Sequence, residues 1–568
     1  MKAVPEPRAA TLSPKGFSLK NPLRTMKNIY SLKKIISLFA ISFLFFSCSS
    51  VHDPKDVYSD IDYTQEDARK EERKRILDLL EKNPVQALWR ACLLADKETI
   101  SDCEKSVEEE FNKAVQKSDW YNARRIQKSL VTLDSPLSEK LSKSLSELES
   151  LSMKNVPGLN GEKSAEAKKV SSYISGTVTI WVDKGIRVER GMGFADRVIG
   201  SGFFISKDGY IVTNHHVISD LVDKKSEGYS RLYIKLAEDS DTRIPAKVIG
   251  YDPQIDLALL KTEVDAPYIF SLGSSSDLDV GDKIYAIGSP VGLERTLTSG
   301  IVSATDRKLF TLGSVMQIDA AVNSGNSGGP CIDEKGRVQA IVFAGILQYE
   351  GLNFAIPVEY LKQTLPALYA GGKVSHAWLG CYGHTKKEFG KEAGLEVQYV
   401  FPGASASRSR IVPGDLIVEA DGQKITTLED MQAVLMRNMA KSVIKIKYRR
   451  GDSDFHDADI YLGARPEHPG YNIYKGDIIA KSFVPIFGMK LLPVSTSSSK
   501  KYSIEQIIKG SVADESGFSE NDPVEIRNVK LNDDNSIIYA EIYAHYRKKG
   551  YLEGVVAIGA QLDSPYYF

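Results

Sequence analysis

The sequence predicts several domains of unlike class in one chain: a small helical domain, then a body built from β-strands. Two observations carry this. Between about Thr64 and Met153 apolar residues recur every three or four positions, the spacing of helices with one buried face. Beyond about residue 170 they gather instead in short runs, Gly202-Phe203-Phe204-Ile205, Tyr210-Ile211-Val212 and Leu257-Ala258-Leu259-Leu260, the pattern of buried strands. Length agrees, since 568 residues suit several cores, and 42% hydrophobic with 26% charged residues is ordinary for soluble domains. The formal net charge of −1 gives no reason to expect a polyanion partner. Lys445-Ile446-Lys447-Tyr448-Arg449-Arg450 reads as an exposed strand, so no nucleic acid is expected.

In chain order, residues 1–48 carry an address. Lys27, Lys33 and Lys34 precede an apolar run from Ile35 to Phe46 that ends at Ser47-Cys48-Ser49-Ser50. The run is too short to span a bilayer and has the layout of a secretory signal, with Met26 a better start than Met1. A small residue before a cysteine resembles the lipobox of bacterial lipoproteins, which implies lipidation at Cys48. An uncleaved signal anchor is the alternative; either way the body is exported and held at a membrane. Five cysteines do not make a disulfide scaffold. Cys92 and Cys103 are read either as a bridge between neighbouring helices or as two buried free thiols, and Cys331 and Cys381 as packing residues. No Cys/His cluster has metal-ligand spacing, so neither metal nor cofactor is expected.

Residues 60–153 form the helical domain. Ile100, Cys103, Val107, Phe111 and Ala114 share one face, as do Trp120, Ala123, Ile126 and Leu130. Leu137, Leu141, Leu145, Leu148 and Leu151 share another, and Asn83-Pro84 and Asp134-Ser135-Pro136 mark breaks and starts. The run Arg69 to Arg75, interrupted by Glu71 and Glu72, reads as a solvated helix face. Nothing here suggests chemistry; the domain is expected to act as a spacer, an oligomerisation element or a protein contact. Residues 154–169, polar and containing Pro157-Gly158, read as a linker.

Residues 170–372 carry the chemistry. Gly325-Asn326-Ser327-Gly328-Gly329-Pro330 places a serine on a glycine-flanked turn. Acyl transfer needs a nucleophilic oxygen beside two donors that hold the developing oxyanion, and glycines let a backbone offer both. Such a serine needs a base and an orienting carboxylate. Thr213-Asn214-His215-His216-Val217 and Asp256-Leu257-Ala258-Leu259-Leu260-Lys261 lie upstream, in the order His, Asp, Ser. Asp252 competes with Asp256 for the carboxylate role, and Asp319 is a further candidate turn carboxylate.

These segments, with Gly200-Ser201-Gly202-Phe203, Asp319 to Pro330 and Asn353-Phe354-Ala355-Ile356-Pro357, resemble the protease domain of the HtrA/Deg family of trypsin-like serine proteases. The resemblance implies an all-β chymotrypsin-like double β-barrel, with His216 as general base, Asp256 orienting it, Ser327 as nucleophile and the N–H groups of Gly325 and Ser327 as the oxyanion hole. His215 occupies a position that is usually not histidine. Ser324 and Gly288-Ser289-Pro290-Val291-Gly292-Leu293 depart from the family pattern and touch loop shape rather than the triad.

In chymotrypsin-like folds the residue six before the nucleophile lies near the floor of the primary specificity pocket. Ala321 offers no carboxylate there, so cleavage is expected after small or medium apolar residues. Asn326 stands where proteases activated by trimming carry an aspartate, so control by loop ordering is expected instead.

Residues 375–464 resemble a PDZ domain in Trp378-Leu379-Gly380-Cys381, Pro402-Gly403-Ala404-Ser405-Ala406 and Val412-Pro413-Gly414-Asp415-Leu416. By that resemblance Trp378, Leu379, Gly380 and Cys381 form the carboxylate-binding loop for peptide C-termini. Residues 475–568 echo the repeat in Lys509 to Phe518 and Asn521-Asp522-Pro523, a degenerate second PDZ-like domain with no assigned groove; Gly463 to Gly470 is the expected boundary. The whole reads as an exported, membrane-tethered serine endopeptidase acting on unfolded or misfolded envelope proteins, the family resemblance adding a trimer-based homo-oligomer. A chaperone or scaffold with minor proteolysis is the alternative.

Overall fold

The computed structural model describes residues 66–568, apart from 163, 165–169, 224–229, 240, 290–295, 309–311, 324, 346–351, 452–453, 495–500 and 547–551. The expected export signal and Cys48 lie outside the described residues, as do Pro290 to Leu293 and Ser324.

The helical domain is a short bundle. The helix Pro84–Leu94 starts at Asn83, whose side-chain oxygen accepts the Gln86 N–H, with proline in the first turn where no N–H is needed. The helix Trp120–Thr132 starts the same way, on the Asp119 carboxylate. The leucine spacing from Leu137 to Leu151 suggested continuous helix, but the chain breaks into Leu137–Lys140 and Leu145–Lys154. Ser144 and Glu147 form a reciprocal capping box, which satisfies a new helix start better than continuation.

This bundle does not stand free. Its core cluster takes in Val443 and Tyr461 of the next-but-one domain. Trp89 Nε1 donates to the Asp459 carbonyl at 2.8 Å, and its ring stacks on Tyr461. Glu72 corrects the reading of a solvated face. It is 1% exposed, accepts from Arg90 Nε at 2.7 Å and lies 3.8 Å from Arg408. Two cationic neighbours offset the cost of enclosing its charge.

The chymotrypsin-like body consists of two antiparallel barrels. The first runs through Ile244–Asp252, Arg231–Lys235, Thr177–Glu189, Met192–Phe204, Tyr210–Thr213 and Leu257–Thr262, the last pairing back onto the first. The second closes through Pro330–Ile332, Val338–Gly345, Asn353–Pro357, Val315–Ile318, Thr296–Arg307 and Lys283–Gly288. Phe203, Phe270, Ile287 and Ile341 join one core that also receives Leu361, Leu365 and Leu368 of the helix Val358–Ala370. Val156 and Leu159, inside the expected linker, pack into this core as well.

The expected first PDZ domain is a six-stranded sheet with the helix Leu428–Arg437 alongside its strand Cys381–Glu388. The last domain repeats its sheet and its turn chemistry. Asp415 and Asp522 are both fully buried and accept the N–H of Val412 and of Ser519, each at 2.9 Å. Asn521 sits at φ +66 where the first copy has Gly414 at φ +100. The second copy departs in one respect: only residues 532–536 separate Pro523–Leu531 from Ile537–Tyr546, leaving no room for a counterpart of the helix Leu428–Arg437. The helix Ile479–Phe487 packs instead against its strand Met489–Pro493.

Candidate active site

Three loops from the two barrels meet here. Asn214 precedes the helix His215–Val222, so the two histidines lie in its first turn and point differently. His215 is buried, stacks on Tyr251 and has Nε2 3.2 Å from Asp223. His216 has 45% of its side chain exposed and sends Nδ1 to Asp256 Oδ2 at 2.6 Å. The other Asp256 oxygen accepts the His216 backbone N–H at 2.7 Å. Both carboxylate oxygens thus hold one residue, fixing the ring and leaving Nε2 as its free edge. Asp256 adopts φ +55, a conformation aspartate tolerates better than most residues, and its carbonyl is tied down by Asn214 Nδ2 at 2.9 Å.

Asp252, the competing carboxylate, is engaged elsewhere. One oxygen accepts the N–H groups of Gln254 and Ile255, and the other lies 2.7 Å from His376 Nε2. Asp319 likewise serves structure, accepting the Ile301 N–H at 2.6 Å.

Ser327 lies on the turn before Pro330–Ile332. Gly325 at φ +102 and Gly328 at φ +84 give the turn its shape, and a side chain on Gly328 would collide with Ser201 and Thr213. Among the described residues the N–H groups of Gly325 and Ser327 have no acceptor. The Ser327 hydroxyl donates to the Phe343 carbonyl at 3.2 Å. Asn326 is buried against Gly288, and among the described residues its Oδ1 has no hydrogen-bond partner. Ala321 is exposed, its carbonyl accepting from the Thr298 hydroxyl at 2.9 Å.

One residue of the site was not singled out from the sequence. The Ser201 N–H donates to the Ser327 carbonyl at 2.8 Å, and its hydroxyl donates to the Gly325 carbonyl at 2.6 Å while accepting the Ser289 N–H at 3.0 Å. Ser201 thereby clamps the Ser327 turn from the opposite barrel. The available signal was the pair of flanking glycines: a side chain at Gly200 would strike Val217, and one at Gly202 would strike Ile211.

Residues 200–341 match the trypsin-like peptidase domain family, 372–449 the PDZ domain family and 470–562 the TP0546 family PDZ domain. Residues 67–152 match a domain of unknown function, DUF8517. A probable periplasmic serine endoprotease, DegP-like, from Marinomonas sp. (strain MWYL1) is 33% identical over 352 residues, covering 58% of this chain and 71% of the relative. The chain belongs to the HtrA/Deg family of serine endoproteases. It is a serine endopeptidase with a trypsin-like double barrel and C-terminal PDZ domains. A second HtrA/Deg relative, from Hahella chejuensis, is 35% identical over 280 residues, 47% of this chain and 57% of its own length. One from Pseudomonas fulva is 38% identical over 245 residues, 41% and 49% respectively. The chain spans about half the length of these two relatives. A solved structure, HtrA-type protease AlgW with decapeptide, is 26% identical, covers 53% of this chain and 99% of its own, and has a TM-score of 0.45.

Proposed function

We propose that Ser327 attacks the substrate's scissile carbonyl, that His216 Nε2 takes the hydroxyl proton and returns it to the leaving amine, and that Asp256 stabilises the imidazolium formed between. The N–H groups of Gly325 and Ser327 hold the tetrahedral oxyanion, and water resolves the acyl-enzyme by the same steps in reverse. The observation that carries this reading is the two-point grip of Asp256 on His216, at 2.6 and 2.7 Å, beside a serine whose turn presents two uncommitted N–H groups. Because the Ser327 hydroxyl is held by the Phe343 carbonyl, catalysis requires its rotation toward His216, an equilibrium that ligand binding shifts.

Ala321 directs cleavage to follow small or medium apolar residues. Together with strand-wise peptide capture at Trp378, Leu379, Gly380 and Cys381, this selects unfolded or misfolded chains, since folded ones hide both features. The relatives' periplasmic location supports work in the bacterial envelope, and the lipobox-like sequence around Cys48 supports a tether through a lipid there. Ile186, Val188, Met192 and Phe194 are exposed near the tip of one hairpin, which favours assembly into a homo-oligomer. Light scattering on purified protein reads that state directly.

The deciding experiment follows β-casein digestion by wild type and Ser327→Ala. The substitution is expected to lower the rate by about a thousandfold or more. Equal digestion by both would discard the mechanism. Undiminished suppression of client aggregation by both would favour a chaperone instead.

A further inference from the structure

The peptide-receiving edge of the first PDZ domain is already filled. Tyr566-Tyr567-Phe568, the last three residues of the sequence, run antiparallel to Cys381–Glu388, with Tyr567 facing Tyr382. The Phe568 main-chain oxygen accepts the N–H of Gly380 at 3.0 Å and of Cys381 at 2.9 Å, and the Phe568 N–H donates to the Cys381 carbonyl at 3.0 Å. The Tyr566 carbonyl accepts the Gly383 N–H at 3.2 Å. Gly380 holds φ +90, and a side chain there would collide with Ala404, so the loop takes this shape only with glycine.

The side chains alternate as in any added strand. Phe568 is 1% exposed, within the core cluster that includes Leu379, Met431 and Leu435. The Tyr566 ring stacks on His384 at 4.0 Å, and Gln432 of the groove helix donates to the Pro565 carbonyl at 2.8 Å. Tyr567 points the other way, into the core of the second PDZ domain, where its hydroxyl donates to the Pro485 carbonyl. Asp563 is paired with the nearly enclosed Arg465 at 2.6 Å, which fixes the approach.

We propose that the chain closes its own first PDZ groove with Tyr566-Tyr567-Phe568. External peptides then bind this groove only by displacing this segment. The proposal rests on the peptide-capture reading given above. A ligand tethered to its own site acts at millimolar effective concentration, so ordinary peptides are screened out and only matching or multivalent ends compete. Tyr566 also borders a 560 Å³ cavity shared by Lys308 and Tyr360 of the protease and Glu429 of the groove helix, so displacement reaches the protease's docking face.

The test uses the full chain carrying Ser327→Ala, the same chain with Gly-Ser-Gly-Ser appended after Phe568, and Phe568→Asp. The appended version keeps every side chain, which guards against misfolding of the substituted one. The probe is fluorescein-labelled Gly-Ser-Tyr-Tyr-Phe with a free carboxylate, and amide hydrogen exchange is followed over residues 380–383. Both altered chains are expected to bind the probe at least about tenfold more tightly than the parent, with faster exchange over 380–383. Unchanged exchange in both overturns the proposal, and probe binding that is equal in all three would then leave peptide capture standing without self-closure. Faster exchange without probe binding supports self-closure and rejects peptide capture.

Discussion

Replacing Ser201 by alanine removes a hydroxyl that serves Gly325 and Ser289 at once. The Gly325 carbonyl, adjacent to the N–H proposed for the oxyanion hole, then loses its donor, and we expect kcat to fall about 10- to 100-fold with KM little changed. Asp256→Asn is expected to cost about 10⁴ in kcat by fixing the wrong imidazole tautomer. Asp252→Asn, four residues earlier, should leave kcat near wild type and lower the melting temperature instead. Ala321→Asp should bring cleavage after lysine and arginine into a peptide-library profile that lacks it in the wild type. The contrast between these residues shows what the sequence could say. The segment Thr213 to Val217 singled out His216 only through family resemblance, whereas the structure separates the histidines by exposure, 45% of the side chain against 10%. Ser201 escaped notice because the partners of its N–H and hydroxyl, Ser289, Gly325 and Ser327, lie more than eighty positions away, a relation no local pattern encodes.

At the level of elements, the two PDZ copies share a turn that fixes where the central strand begins. In the second copy that turn depends on Asn521 at φ +66. Asn521→Gly should be nearly neutral, whereas Asn521→Ala should cost about 1 kcal/mol in urea unfolding, because alanine lacks asparagine's tolerance of the left-handed region. Asp415→Ala is more severe, about 1–3 kcal/mol, since it strands the Val412 N–H and leaves Arg450 without its carboxylate. Both turns were readable in the sequence, because glycine or asparagine followed by aspartate is a local signature. The break at Ser144 was equally available as Ser-x-x-Glu but was outweighed by the leucine period. The self-bound C-terminal segment was not readable: Tyr566-Tyr567-Phe568 looks like any apolar end until the fold brings it to Gly380.

Across the whole molecule, the helical domain and the first PDZ domain share one interior. Trp89→Ala should cost about 3–5 kcal/mol and lower the melting temperature, because it removes a fully buried ring from that joint core. The free thiols report the same packing. Burial pushes Cys92 up to about 11 and Cys103 and Cys331 up to about 12, so thiolate is scarce at pH 8. Native protein should react slowly with Ellman's reagent, and the rate should rise steeply in denaturant. Domain order and class were legible because periodicity and motifs are local, but docking was not, since Val443, Tyr461 and Glu72 carry no mark of their partners. The pairing of Asp252 with His376 has a mechanical consequence. His376 sits where the protease hands over to the first PDZ domain, and Asp252 braces the turn that ends at Asp256. Swinging the PDZ domain away would break this buried pairing, so the joint is a latch, not a swivel. Load on the outer domain is borne first by the buried Asp252–His376 pairing and the turn it braces.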